Sequence, residues 1–273
     1  MAITQRVEAM KKLLRQRWAT EVSAQHRIEK ELTDALTELM DMGYAEAVSA
    51  YSFQLANLKD QDKVREILTQ IRLFVFMELT RAVQWNNNAV AKHYGTPVAF
   101  NVEEYVNRPL GEKTAKQRIS IYTNRLKYEY ESWIALGLAL SLSKKQLVDI
   151  YTKWRNKPFS NPLFANAPKS MAATRIANHG VSYGTGQYIS AEASIIRLVR
   201  YGIADAFRNA ELTAWAGTNP IGYYVFRGSS YPCNICDDMR GFHPDNIDLP
   251  PYHPNCCCGV VPVYSTDNLS GIL

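Results

Sequence analysis

No cysteine precedes residue 233, and no apolar run is longer than the eight residues from Trp133 to Leu140. The short runs exclude a membrane-spanning helix, which needs roughly 20 such residues. A secretory signal is missing too: where an apolar region of about 7–15 residues would stand, the chain has a mixed stretch with Lys11, Lys12, Arg15 and Arg17. The expected place of synthesis is a reducing cytoplasm. There is no internal repeat and no low-complexity tract. With 47% hydrophobic residues in 273, material for a packed core is ample, and disorder is not expected.

Charge is unevenly placed. Residues 1–190 carry a net +8 and residues 191–273 a net −3, giving the formal total of +5. A surplus this thin reads as a solvated helical surface rather than as a strong nucleic-acid footprint.

Over the first 42 residues Ile3, Val7, Met10, Leu14, Trp18, Val22, Ile28, Leu32, Leu36 and Leu39 recur mostly three or four apart. That spacing predicts one buried face of a long helix, which Gly43 ends. A second helix is expected over Ala45 to Asn57 and a third from about Asp62 to His93, stopped by Tyr94 to Pro97. The third has Val64, Ile67, Ile71, Phe74, Phe76, Leu79 and Val83 available to its buried side. Helical patterning returns over Glu112 to Leu140, and Ser143 with Gln146 reads as a capping box that opens a further helix.

Pro158, Pro162 and Pro168 mark a loop, and the glycines at 180, 184 and 186 mark a bend. No strand precedes that bend and no Lys-Ser/Thr follows it, so it is not read as a phosphate cradle. Ser190 is placed to cap a helix ending near Gly217, after which Gly222 to Phe226 and Gly259 to Tyr264 have the β-branched and aromatic texture of strands. The predicted class is mainly α (α+β). A helical domain fills 1–155, an irregular linker 156–189, and a helix with a Cys-rich C-terminal β module 190–273.

All the chemistry-bearing density lies in that module. Five cysteines, three of them consecutive (Cys256, Cys257, Cys258), suit disulfides poorly and metal ligation well. Cys233 and Cys236 form a Cys-x2-Cys knuckle; after 16 residues come His253, then Cys256 and Cys258. Two pairs separated by a loop can complete a tetrahedral structural zinc shell. The candidate ligands are Cys233, Cys236, His253, Cys256 and Cys258, with Cys233, Cys236, Cys256 and Cys258 the first choice and His253 able to replace one of the last two. If a strand begins at Cys256, alternation turns Cys256 and Cys258 to one face and Cys257 to the other.

Catalytic readings fare worse. A redox dithiol expects its Cys-x2-Cys at a helix start in a βαβ unit, whereas this one is expected between short strands. A zinc deaminase needs an upstream His-x-Glu or Cys-x-Glu, and His26, His93 and His179 are not followed by glutamate. A zinc-stabilised nuclease would leave His243 alone to activate water if His253 serves the metal. No catalytic residue and no enzymatic activity are therefore expected.

The pieces Leu198–Arg200, Tyr224–Phe226, Cys233 to Cys236, Gly241–Phe242, Leu249–Pro251, His253–Cys256, Cys258 and Val261–Val263 resemble the Mu F-like head-morphogenesis (minor head protein) family of tailed bacteriophages. The resemblance covers about 75 residues, from Ser190 to Tyr264. Three positions depart from the pattern: Gly202 where the helix motif has Glu, Arg240 where Asp precedes the turn glycine, and Cys257 where Arg separates the last two cysteines. The resemblance implies a minor capsid component of the virion, in the head interior or at the portal vertex, present in the bacterial host cytoplasm during assembly. Its implied partners are the portal and capsid or scaffold proteins, with packaged double-stranded DNA as a further contact, and no membrane. The alternative from another class is a zinc-knuckle DNA-binding protein or nuclease.

Overall fold

A computed structural model of the chain describes residues 2–46, 49–50, 53–97, 101–110, 112–156, 161–165, 182–183, 187–188, 190–246 and 248–267. It is mostly helical, with a small C-terminal antiparallel sheet beside a Cys/His cluster, as the sequence predicts. In chain order the elements are α1 (Ile3–Ala45), a 3-10 turn (Leu55–Asn57), α2 (Gln61–Tyr94), α3 (Val102–Asn107), β1 (Pro109–Leu110) and β2 (Lys113–Thr114). Then come α4 (Ala115–Ala139), α5 (Lys144–Trp154), α6 (Pro162–Ala165), β3 (Ser182–Tyr183) and β4 (Gln187–Tyr188). The chain continues through α7 (Ala191–Trp215), β5 (Gly222–Phe226), α8 (Asn234–Asp238), β6 (Gly241–His243) and β7 (Gly259–Val263). Among the described residues no helix is long and apolar enough to cross a membrane.

The chain divides into two compact units, each assembled from distant segments. The first comprises residues 1–25, 78–109 and 197–273; the second comprises 26–77 and 110–196. Most of the irregular stretch expected over 156–189 lies outside the described residues. Of the rest, Pro162–Ala165 forms a helical turn, and Ser182–Tyr183 pairs with Gln187–Tyr188.

The second unit is helical packing with explicit punctuation. Ile28, Leu32, Leu36 and Leu39 of α1 are fully buried, as are Ile71 and Val75 of α2 and Leu126, Tyr130 and Ile134 of α4. Two capping boxes close helix N-termini: Thr114 with Gln117 on α4, and the expected Ser143 with Gln146 on α5. Each leaves fewer orphan backbone donors at the helix start. Gly137 lets α4 come close to its neighbours, since a Cβ there would lie 2.6 Å from Leu147 Cδ2 and 2.4 Å from Tyr44 Oη. Of the helix expected over Ala45 to Asn57, Ala45 belongs to the end of α1 and Leu55–Asn57 form the 3-10 turn after an extended Gln54; residues 47–48 and 51–52 are outside the described set. The reason is tertiary: Phe53 and Leu55 are fully buried, and the Leu55 amide donates to Glu131 Oε1 (2.9 Å) instead of to a helical carbonyl.

In the first unit β5 is the central strand, antiparallel to β6 on one side and β7 on the other, with Tyr224 opposite both Phe242 and Val261. Alternation sends Tyr224, Phe226, Val261 and Val263 to a core with Ile3, Val7, Met10 and Leu14 of α1, Val90 of α2 and Phe207 of α7. Val225 and Val260 face the other way, with Trp215, Cys236, Cys256 and Cys258. Both faces are thus covered, which is why these strands read as unbroken apolar runs.

The buried face of α1 departs from the apolar stripe at its middle. Trp18 is 38% exposed and Val22 half-buried, while Arg17 and Glu21 are buried at 3% and 1%. From Leu14 the helical period runs through positions 17, 21, 24 and 28, and the charged pair sits on that line. Burial is tolerable because Arg17 Nε lies 3.1 Å from Glu21 Oε1, and Glu21 also meets Arg200 at 3.5 Å. Arg200 in turn stacks its guanidinium 4.4 Å from the Trp18 ring. In α2, likewise, Phe74 and Phe76 are half-buried and Val75 between them takes the core position.

Candidate metal centre

The site is assembled at one end of the small sheet, where β5 ends and β7 begins. Leaving β5, the chain turns at Gly228 and reaches Cys233, the N-cap residue of α8; Cys236 follows within that single turn. After β6 the chain passes Pro250 and Pro251 to His253, then Asn255 in the left-handed region (φ 72°), and runs through Cys256, Cys257 and Cys258 into β7. The knuckle therefore opens a short helix, where strands alone were expected to flank it. The element before it is an antiparallel strand and not part of a βαβ unit.

All five residues named from the sequence converge. Their ligand atoms form two groups, Cys233, Cys236 and His253, and Cys236, Cys256 and Cys258, each with its members within 4.8 Å of one another. Cys236 belongs to both. His253 Nε2 lies 3.2 Å from Cys233 Sγ and 3.1 Å from Cys236 Sγ, and Cys236 Sγ lies 3.9 Å from Cys256 Sγ. Zinc–sulfur and zinc–nitrogen bonds of about 2.3 and 2.0 Å in a tetrahedron put ligand atoms roughly 3.5–3.8 Å apart. The observed separations lie near that spacing, the two sulfur–nitrogen distances below it and the sulfur–sulfur distance just above, and these groups could hold a metal ion.

The histidine is oriented for the task. Its Nδ1 is 2.8 Å from the Pro254 carbonyl, which can only accept, so the proton resides on Nδ1 and the Nε2 lone pair faces the two sulfurs. That outer hydrogen bond is the support metal-ligating histidines ordinarily have. Alternation along the triple cysteine is as expected, although β7 begins only at Gly259: Cys256 and Cys258 are each 1% exposed, and Cys257 is half-buried, its thiol 3.5 Å from the Asn255 carbonyl.

The electrostatics separate the thiols. Hydrogen bonds from the Cys236 backbone and side chain lower Cys233, and the Cys258 thiol, as hydrogen-bond donor, helps bring Cys256 down to about 5 against its burial. Burial pushes Cys236 up to about 12, and Cys258 is driven up by its bond to Cys256. For His253 burial alone would lower the pKa, but the Pro254 carbonyl and the charges of Cys256 and Cys233 outweigh it, and the net shift is upward. The thiols thus differ in acidity, Cys233 and Cys256 lowered and Cys236 and Cys258 raised, and a divalent cation would draw off the protons that remain on them.

Two buried arginines, neither singled out by the sequence, hold the ligand-bearing loop by its carbonyls. Arg17 of α1 donates Nη2–H to the Cys256 carbonyl (2.6 Å), and Arg208 of α7 donates Nε–H to the Pro250 carbonyl (3.1 Å) while pairing with Glu211. Gly228 supplies close approach: a Cβ there would lie 2.0 Å from the Cys257 carbonyl oxygen. Beside the cluster lies a cavity of about 490 Å3, whose wall includes Trp18, Arg227, Tyr231, His253 and Cys257.

His243, the candidate water activator of the nuclease reading, is not gathered into either group. Its Nε2 lies 3.0 Å from the Met239 carbonyl, to which it can only donate. Asp237 of the acidic pair beside the knuckle is bound to Arg227. No family model, curated protein or solved structure matches the chain.

Proposed function

We propose that the Cys/His cluster binds one structural zinc ion and that the chain is a minor head protein of a tailed bacteriophage. In this reading the zinc-stapled module presents a fixed surface to portal or capsid proteins during head assembly. The observation that carries the metal reading is the convergence of four thiols and one correctly oriented imidazole from segments 20 residues apart. Soft sulfur with one nitrogen in a tetrahedral spacing selects zinc over calcium or magnesium. A structural role is supported by the number of candidate ligands, since five protein groups stand ready for a four-coordinate shell and can fill it without a water or substrate.

The assembly reading is supported by where the motif pieces of the phage family lie. Tyr224–Phe226 and Val261–Val263 are paired strands, the helix piece Leu198–Arg200 belongs to the same compact unit, and both cysteine pairs meet at one edge. The nuclease reading has less support, because among the described residues no second group able to hold a metal ion gathers around His243.

Metal analysis of the reduced, full-length chain tests the first part, with about one equivalent of zinc expected. Chain with no zinc and no response to a chelator would overturn it. Co-expression with portal and major capsid proteins tests the second: the chain should co-purify with one of them. Failure to associate, together with metal-dependent plasmid cleavage lost on His243→Ala, would replace it with the nuclease.

A further inference from the structure

Three consecutive cysteines pose a selection problem. A single-residue slip or a flipped peptide would exchange the inward pair Cys256 and Cys258 for Cys257, because side chains alternate along extended chain. Sulfur chemistry cannot prevent this, since the three thiols are identical. The choice has to be made by the backbone.

Two features grip that backbone. Arg17 donates to the Cys256 carbonyl at 2.6 Å. It is itself immobilised: 3% exposed, 3.1 Å from Glu21 Oε1, and with its guanidinium 5.5 Å from the centroid of the Phe207 ring. On the other side Gly228 approaches the Cys257 carbonyl so closely that no side chain fits between them. With both carbonyls placed, Cys256 and Cys258 turn toward Cys236, and Cys257 turns to the cavity wall. Arg17 reaches this run from a helix 239 residues away in the sequence.

We propose that Arg17 is a positioning residue that fixes the register of the Cys256–Cys258 run through its hydrogen bond to the Cys256 carbonyl, and so excludes Cys257 from the metal. The inference rests on the zinc reading. Arg17 touches no metal; it decides which thiols do. A charged donor is suited to this, because its hydrogen bond to a carbonyl is stronger than a neutral one and cannot be lost by deprotonation.

The test is site-resolved alkylation of the zinc-loaded, full-length chain with iodoacetamide, read by peptide mass spectrometry, in the parent, Arg17→Met, Cys257→Ser and the double variant. In the parent Cys257 reacts and the other four cysteines are protected. In Arg17→Met the ratio of Cys257 to Cys256 labelling falls by on the order of tenfold, the factor that loss of one charge-assisted hydrogen bond produces. In the double variant, with no competing thiol, Cys256 and Cys258 regain their protection. A merely structural role for Arg17 would expose them equally with or without Cys257, and that result overturns the inference. So does an unchanged labelling ratio in Arg17→Met. Cys257→Ser alone provides the arm that is safe for folding: it should keep the parent zinc content and the parent cobalt-substituted absorption spectrum, and loss of either makes Cys257 a ligand and the inference wrong. A parent that holds no zinc fails earlier and differently, overturning the metal reading and this inference with it.

Discussion

The two compact units solve the same problem of burial with different materials. The unit built from residues 26–77 and 110–196 relies on large side chains at helical spacing, among them Trp133, Tyr130 and Tyr151, with hydroxyls satisfied locally: Tyr130 donates to the Leu32 carbonyl (2.6 Å) and Tyr151 to Glu192 (2.5 Å). The unit built from residues 1–25, 78–109 and 197–273 has a three-stranded sheet of short strands and long turns, and these need other fastening. It uses buried arginines on carbonyls and a sulfur cluster. Both units bury charged groups, but in the unit with little regular backbone around the cysteines the charge-assisted hydrogen bonds hold loop carbonyls, beside thiols that could hold a metal ion.

The largest effect should separate the units by metal. Cys236→Ala removes the residue common to both ligand groups, and it should abolish zinc binding and destabilise the C-terminal module by more than about 3 kcal/mol while most helical circular dichroism remains. A variant that retains a full equivalent of zinc would break the comparison. In the helical unit, Trp133→Ala should cost about 3–5 kcal/mol through cavity formation and leave zinc stoichiometry unchanged, as thermal unfolding and metal analysis would read.

Next in size comes the buried charge of the cysteine-bearing unit. Arg208→Met leaves Glu211, fully buried, without its guanidinium, and a loss of about 3 kcal/mol is expected. If denaturant titration shows this variant to be as stable as the parent, the arginine is not fastening the Pro250 turn.

A pH scan then compares a carboxylate from each unit. Burial raises Glu192 and Glu211 to about 7 each, against the opposing pull of Arg155 on the first and Arg208 on the second. Each folded carboxyl keeps its proton above the ordinary value of 4.5, where the unfolded chain has released it. Their contribution to stability is therefore full below about 4.5 and is lost as pH rises to about 7. Glu192→Gln and Glu211→Gln should each flatten the slope between those limits; a slope unchanged in both would contradict the assignment. The smallest effect belongs to the helix cap: Ser143→Ala should cost about 1 kcal/mol, confined to the helical unit.

Legibility in the sequence followed how local each determinant was. Ser143 with Gln146, the stop at Tyr94 and Gly95, and the strand over Gly222 to Phe226 were readable because cap, turn and strand signals act over a few residues. The clustering of the five candidate residues was readable because Cys and His at knuckle spacing point to a shared metal. Trp18 misled because apolar character was weighed above phase: the helical period passed through Arg17 and Glu21, whose burial requires partners contributed by α7 and the Cys256 carbonyl. Phe53 and Leu55 misled in the same way, since Glu131, 76 residues from Leu55, supplies the bond that replaces a helical one.

The sequence by itself determined the helix periods, the caps, the apolar strands and the inventory of sulfur and imidazole, because each is a property of residues within a turn or two of one another. Tertiary structure alone decided that Cys236 stands at the junction of two candidate ligand groups, that His253 presents Nε2, and that Arg17 and Arg208 grip the loop. Those choices depend on carbonyl directions and on partners up to 239 residues away, and no spacing along the chain records where a distant guanidinium will point.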